Sequence, residues 1–422
     1  MGGGQRAKTS ARADSFRDVR IIHTSDWHLG RALHGVPLLD AQARFLEWLT
    51  ALARERQVDA VLVAGDVYDR ALPGVDAVGL LEDGLDSLTR AAPVVVVPGN
   101  HDSAQRLGFG SRWFTDRMRI QPSVAGAVTP IELPGRDGET GLLVYAVPYL
   151  DPDLARPVVA ELSGVPADEF PRTHEAMLGG VAAAARADLE RRRADAGRTP
   201  AVLMAHAFVV GGEPSESERD IRIGGVDSIP AEVLAGFDYV ALGHLHGPQD
   251  VGPPEARVRY SGSPLAFSFS ESGHVKSVSV VDFDATGRVS GVDVVPTPVQ
   301  RRLSDVTGTL DEVLSDRFAA QRDDWVRVTV RDAARPDNLH ATLRRVFPHL
   351  LEHRFESSMA PGRERVGVGR GRVPDPVEAA SLFVRQVTGA EPAPDEQAVL
   401  RAAHEAARAA FAENDRYLEG GR

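Results

Sequence analysis

Five short polar clusters in the first two-thirds of the chain contain residues able to hold metal ions. They are Asp26-Trp27-His28, Gly65-Asp66-Val67-Tyr68-Asp69, Gly99-Asn100-His101-Asp102, the lone His206, and Gly243-His244-Leu245-His246. Asp, Asn and His offer oxygen and imidazole donors without sulfur, a set that suits Mn, Fe or Zn and excludes a thiolate site. Seven of these side chains, Asp26, His28, Asp66, Asn100, His206, His244 and His246, exceed the need of one ion. They fit two ions about 3.5–4 Å apart that share a carboxylate and grip both the attacking and the leaving oxygen of a phosphoester. Asp66, in a glycine-led turn, is the best candidate for the bridge. The first ion then takes Asp26, His28, Asp66 and His246, while Asn100, His206 and His244 join Asp66 around the second. Two divalent ions bring about +4 against about −2 from the two carboxylates, so the site attracts anions, phosphate above all. The nucleophile needs no side chain, because water between two ions is acidified toward neutrality. His101 follows Asn100 directly and can face substrate while its neighbour faces metal, with Asp102 placed to hold its ring in one tautomer.

The elements that must position these residues are visible as apolar, β-rich runs: Ile21-Ile22, Val58 to Ala64, Pro93 to Val97, Ala201 to Met204 and Tyr239 to Leu242. Each cluster follows one of them. In open α/β sheets ligand sites gather beyond the carboxyl ends of strands, so five such ends can converge on one cleft. A single Asp-x-His or His-x-His is weak, and a lone histidine is usually a core or surface residue. The ordered set of five is what carries the argument.

This set, DWH, GDVYD, GNHD, MAH and GHLH, resembles the calcineurin-like metallophosphoesterase superfamily. A longer match narrows it: His23 to Gly30, Arg219-Asp220-Ile221 with Gly224, and Tyr260-Ser261-Gly262-Ser263-Pro264 with Ser268-Phe269 are similar to the SbcD nuclease subunits of bacteria, over about Arg20 to Val295. The resemblance implies an α/β fold, a metallophosphoesterase β-sandwich flanked by helices, then a small α+β capping domain and C-terminal partner-binding helices. It implies a manganese-dependent DNA nuclease with ATP-dependent double-strand exonuclease and hairpin or single-strand endonuclease action, in break repair and recombination. It also implies an SbcC-like SMC-type ATPase as partner, a homodimer within a heterotetramer, and a cytoplasmic, nucleoid-associated location. His101 takes the role of transition-state stabiliser or general acid by the same resemblance. Where some archaeal relatives carry a histidine after the bridging-aspartate turn, this chain has Asp69, which receives no catalytic role. A generic two-metal phosphodiesterase or phosphoprotein phosphatase would share the seven ligands but not the longer segments.

At 422 residues, with 43% hydrophobic content, the chain is long enough for two or three domains. No cysteine is present, so disulfides and thiol chemistry are excluded and nothing points to an oxidising compartment. Residues 1–18 read as a disordered extension without the apolar stretch of a signal peptide, and no run approaches a membrane span. The net charge of −12 is unhelpful for phosphate contacts, although total charge does not locate a patch.

The expected order is a phosphoesterase domain over 19–295, a cap over 296–361 and a Gly/Arg linker over 362–374. The cap holds an alternating strand Trp325–Val330 between helical patterns near Leu310–Phe318 and Leu339–Phe347, and the linker is either a solvated spacer or a phosphate contact. Two helical segments, Pro376 to Thr388 and Asp395 to Leu418, complete a 375–418 region. Their apolar stripes either fold back on the body or meet a partner's helices.

Overall fold

The protein is described from a computed structural model, which covers residues 19–114, 116–135, 140–196, 198–218, 228–357, 375–388 and 391–419. The N-terminal extension, the Arg219–Gly224 segment and the Gly/Arg linker lie outside the described residues.

The apolar runs form two six-stranded sheets. One has the order Val289–Pro296, Ser277–Phe283, Val19–Thr24, Ala60–Ala64, Val94–Val97, Met118–Ile120; the other runs Gln249–Val251, Val258–Tyr260, Tyr239–Gly243, Ala201–His206, Thr140–Ala146, Ile131–Pro134. The strands leading into the polar clusters are parallel to one another within each sheet, so their carboxyl ends share an edge. Alternation along each strand explains why the sequence is apolar throughout. Ile21, Ala60, Leu62, Ala64, Val95 and Val97 meet Val144, Val202, Met204 and Ala241 between the sheets. The intervening Ile22, Val61, Val63, Val94 and Val96 face helices Leu39–Glu55 and Val75–Ala91. Strands covered on both faces lose the polar alternation of a half-exposed strand.

The helices obey the complementary rule. Ala77, Leu81, Gly84 and Leu88 are the buried residues of Val75–Ala91, at the four-three-four spacing that makes one helix face. On the second sheet, helix His174–Ala196 places Met177, Leu178, Val181, Ala185 and Leu189 over Tyr145, Leu203, Val240 and Leu242. The sandwich flanked by helices is the fold expected from the sequence.

The region after Pro296 forms a sheet of three parallel strands, Leu303–Gly308, Trp325–Val330 and Leu350–Phe355, around Val306, Val326, Val328, Leu343 and Phe347. Only the central strand is legible in the sequence. Its flanking strands, LSDVTG and LLEHRF, carry too few buried positions to show a period. This cap belongs to the same compact unit as the sandwich, with Leu303 packed among Leu33, Leu38, Phe267 and Phe269. Residues 357–422 form a second unit containing helices Pro376–Thr388 and Pro394–Glu419, where Phe383 and Val399 are exposed. No helix among the described residues is long and apolar enough to cross a membrane.

Candidate metal centre

Beyond the strand ends the backbone turns sharply. Asp26, His28, Asp66 and His244 adopt φ of 54°, 45°, 50° and 110°. Left-handed backbone costs a non-glycine residue about 1–3 kcal/mol and persists where surroundings force it, most often at functional sites. Four of the seven expected ligands share it. The turns hold each other: Asp26 N donates to Gly65 O at 2.9 Å, His28 N to Asp66 O at 3.0 Å, and His244 N to the Asp26 carboxylate at 3.1 Å. Gly99 has to be a glycine, because a side chain there would run into the Asp66 carboxylate.

The side chains converge as expected. Ligand atoms of Asp26, His28 and His246 lie within 4.8 Å of one another, and so do those of Asp26, Asp66 and His206. Asp66 Oδ2 is 3.7 Å from His28 Nε2 and 3.5 Å from His206 Nε2, between the two groups. Asn100 Oδ1 approaches His206 Nε2 at 2.8 Å, and the His244 ring packs edge-on against that of His206 at 5.4 Å. All seven expected ligands therefore belong to one cluster of side chains.

Hydrogen bonds at the far side of the rings decide what the near side offers. His206 Nδ1 is 2.9 Å from Ala64 O, and since a carbonyl only accepts, Nδ1 carries the proton and Nε2 presents a lone pair. That lone pair faces the carbonyl oxygen of Asn100, another acceptor. His246 repeats the pattern: Ser217 Oγ donates to Glu271 Oε1 at 2.5 Å, so His246 Nδ1, 2.6 Å from Ser217, is the donor. Its Nε2 lone pair then points at His28 Nε2, 3.1 Å away. The two acceptors His206 Nε2 and Asn100 Oδ1, 2.8 Å apart, repel unless a cation lies between them, and about 3 Å is the edge of a coordination shell with bonds of about 2.1 Å. The residues fit divalent metal.

The electrostatics agree. Burial pushes the Asp26 carboxyl well above its usual range, and the neighbouring Asp66 charge adds to this. Burial pulls His28 well below the ordinary imidazole value, helped by His246 and His101, and does the same to His244 with His206 and His246. Neutral imidazoles are ligands. Among the described residues no arginine or lysine pairs with Asp26 or Asp66, and a divalent cation held there would stabilise these buried carboxylates.

One expectation needs correction. Asp102 does not orient His101. Its carboxylate accepts N–H groups from Val67, Tyr68 and Gly99 at 3.0, 2.9 and 2.9 Å, clamping the Asp66 turn to the Asn100 turn. Burial, followed by the Asp66 charge, still lifts Asp102 to about 7 against those three donors. The His101 ring is held instead by the main-chain carbonyl of Asp69, 2.7 Å from Nδ1, which fixes the proton there. Its Nε2 lies 3.9 Å from Asp66 Oδ2, at the rim of the cluster. Asp69, excluded from catalysis on sequence grounds, thus positions the candidate acid through its backbone.

Sequence reasoning also missed the supports. Gln42 donates to Trp27 O and His28 O and accepts from Gly30 N, fixing the first turn. Glu271, held below the usual carboxylate range because His246 and Lys276 outweigh its burial, pairs with the buried Lys276 ammonium. Lys276 donates further to His246 O and Ser263 Oγ, each at 2.9 Å. A lysine kept at this one place in a body otherwise built with arginine was the available signal.

The calcineurin-like phosphoesterase profile matches residues 19–248. The SbcD C-terminal profile, described as the type 5 capsule protein repressor C-terminal domain, matches residues 299–368. Among solved structures, TT1561 of Thermus thermophilus is 16% identical with a TM-score of 0.36, covering 66% of this chain and 98% of that one. A dimetal phosphatase from Danio rerio is 12% identical with a TM-score of 0.39, covering 66% and 99%. With more than half its length in the first profile, the chain belongs to the calcineurin-like phosphoesterase family, hydrolases of phosphoester bonds, and carries the C-terminal domain of the SbcD type.

Proposed function

We propose that the chain is the nuclease subunit of an SbcCD-type complex, hydrolysing DNA phosphodiesters with two divalent ions, manganese being the metal the family resemblance implies. The observation that carries this reading is Asp66 Oδ2 standing between His28 and His206 in a chain that also bears the SbcD-type C-terminal domain. Asp26, His28, Asp66 and His246 would hold one ion, and Asp66, Asn100, His206 and His244 the other. Ions held there supply Lewis acidity toward the phosphoryl oxygens. His101, its Nδ1 proton committed to the Asp69 carbonyl, serves the leaving oxygen through Nε2, giving up a proton there as the imidazolium and leaving the neutral Nδ1–H ring, and Asp102 keeps the two ligand turns in register.

The reading extends to the partners. The exposed apolar residues of the second unit, Phe383 and Val399, suit an SbcC-like ATPase. Leu72, Val75, Phe109 and Trp113 are exposed on the two segments that follow the metal turns, joined where Arg106 donates to Ala71 O, and suit a second copy of the chain. Such a heterotetramer would act on double-stranded ends and hairpins in break repair and recombination, in the cytoplasm at the nucleoid.

A labelled DNA hairpin incubated with Mn²⁺, with and without the ATPase, tests the function. Expected is hairpin opening by the chain, with ATP-dependent degradation of duplex ends when the partner is present. Hydrolysis of phosphoprotein or a small diester without any cutting of DNA would replace this reading by the generic phosphoesterase. Deleting Val377–Leu418 should abolish co-purification with the ATPase while small-diester hydrolysis persists; a destabilised body with partner binding intact would refute that assignment.

A further inference from the structure

Arg31 stands three residues beyond His28, and neither the ligand set nor the supporting shell uses it. Its guanidinium is fixed on three sides. Nη2 donates to Ser217 O at 2.9 Å, Nε lies 3.7 Å from Asp69 Oδ1, and the Cζ atom sits 4.9 Å over the Phe267 ring. Phe267 packs its ring in turn against His28 and His246, at 5.1 and 5.4 Å, so the arginine rides on the same support as two expected ligands. Asp69, His28 and His101 bring their ligand-type atoms within 4.8 Å of one another, which places the guanidinium on the side of the cleft where His101 acts.

One donor remains. Nη1 is buried and finds no hydrogen-bond partner among the described residues, although 17% of the side chain is exposed. A desolvated guanidinium N–H without an acceptor is costly, and the group's planar fork matches the oxygens of a phosphate. We propose that Arg31 is a substrate-binding residue whose Nη1 donates to a non-bridging oxygen of the phosphodiester held at the metal cluster. This rests on the phosphodiester-cleaving reading above and adds to it the group that orients the phosphate beside His101.

The test uses the full chain loaded with manganese, as wild type, Arg31→Ala and Arg31→Gln. Affinity for thymidine 5′-monophosphate is measured by calorimetry, hydrolysis of bis(4-nitrophenyl) phosphate by absorbance, and manganese content on the same samples. Losing a charge-assisted hydrogen bond should weaken thymidine 5′-monophosphate binding about tenfold to a hundredfold. KM for the diester should rise with a smaller change in kcat, and manganese content should stay at the wild-type level. The glutamine variant keeps much of the side chain's length and its stacking without the charge, so it serves if the alanine variant folds poorly. Nucleotide affinity within twofold of wild type in Arg31→Gln would overturn the proposal while leaving the phosphodiesterase reading intact. Manganese lost from both variants would make Arg31 a structural strut and overturn it as well. A wild-type protein that hydrolyses no diester would overturn the reading and the assignment together.

Discussion

The Nε2 atoms of His28 and His246 face each other at 3.1 Å across 218 residues of chain. Both rings are buried, His28 is held neutral, and the Ser217–Glu271 pair fixes the proton of His246 on the opposite nitrogen. The arrangement makes sense as two corners of one coordination shell, and it ties the turn after Val19–Thr24 in one sheet to the turn after Tyr239–Gly243 in the other.

Asp66→Asn should lower metal content and hydrolysis together, because a carboxylate bridging there would supply the charge both ions share. Elemental analysis after dialysis measures this. Two ions retained per chain in the variant would remove Asp66 from the bridge.

His101→Asn should leave metal content unchanged and reduce turnover by about 10²–10⁴-fold, the usual contribution of a general acid. The effect belongs in kcat. Metal lost in proportion to activity would reassign His101 as a ligand.

Removing the ammonium in Lys276→Met leaves the Glu271 carboxylate buried without its cation, at a cost of about 3–5 kcal/mol. Denaturant melts should show this loss, and the double variant Glu271→Gln with Lys276→Met should recover part of it. An unchanged melt would mean that the pair contributes nothing to the support of His246.

His23 lies between the sheets, with Nε2 donating to Leu242 O at 3.1 Å and Nδ1 accepting from the Tyr239 hydroxyl at 3.0 Å. Burial, with a smaller contribution from Arg259, lowers it from 6.5 to about 3. Below pH 6.5 the unfolded chain takes up a proton that the folded chain refuses, so stability falls as pH drops from about 6.5 toward 3. The loss reaches about 2 kcal/mol at pH 5. Compared with wild type, His23→Gln should lose less stability between pH 7 and pH 5 by about that amount; parallel urea melts at the two pH values check it.

Residue types and their order were enough to single out the candidate ligands and the strands that present them. Donor chemistry belongs to residue type, and strands covered on both faces must be apolar throughout, as in Val61-Leu62-Val63-Ala64. What holds those ligands depends on packing across the fold. Asp102 looked like the partner of its neighbour His101, yet its carboxylate reaches Val67 and Tyr68, while the His101 ring turns to the carbonyl of Asp69. Lys276, Glu271, Ser217 and His246 become one chain of hydrogen bonds although 59 residues separate the outermost two of their positions, Ser217 and Lys276. Backbone carbonyls and hydroxyls are present everywhere along a chain, so only the packing that brings one particular carbonyl within 2.7 Å of one particular nitrogen can give it a role.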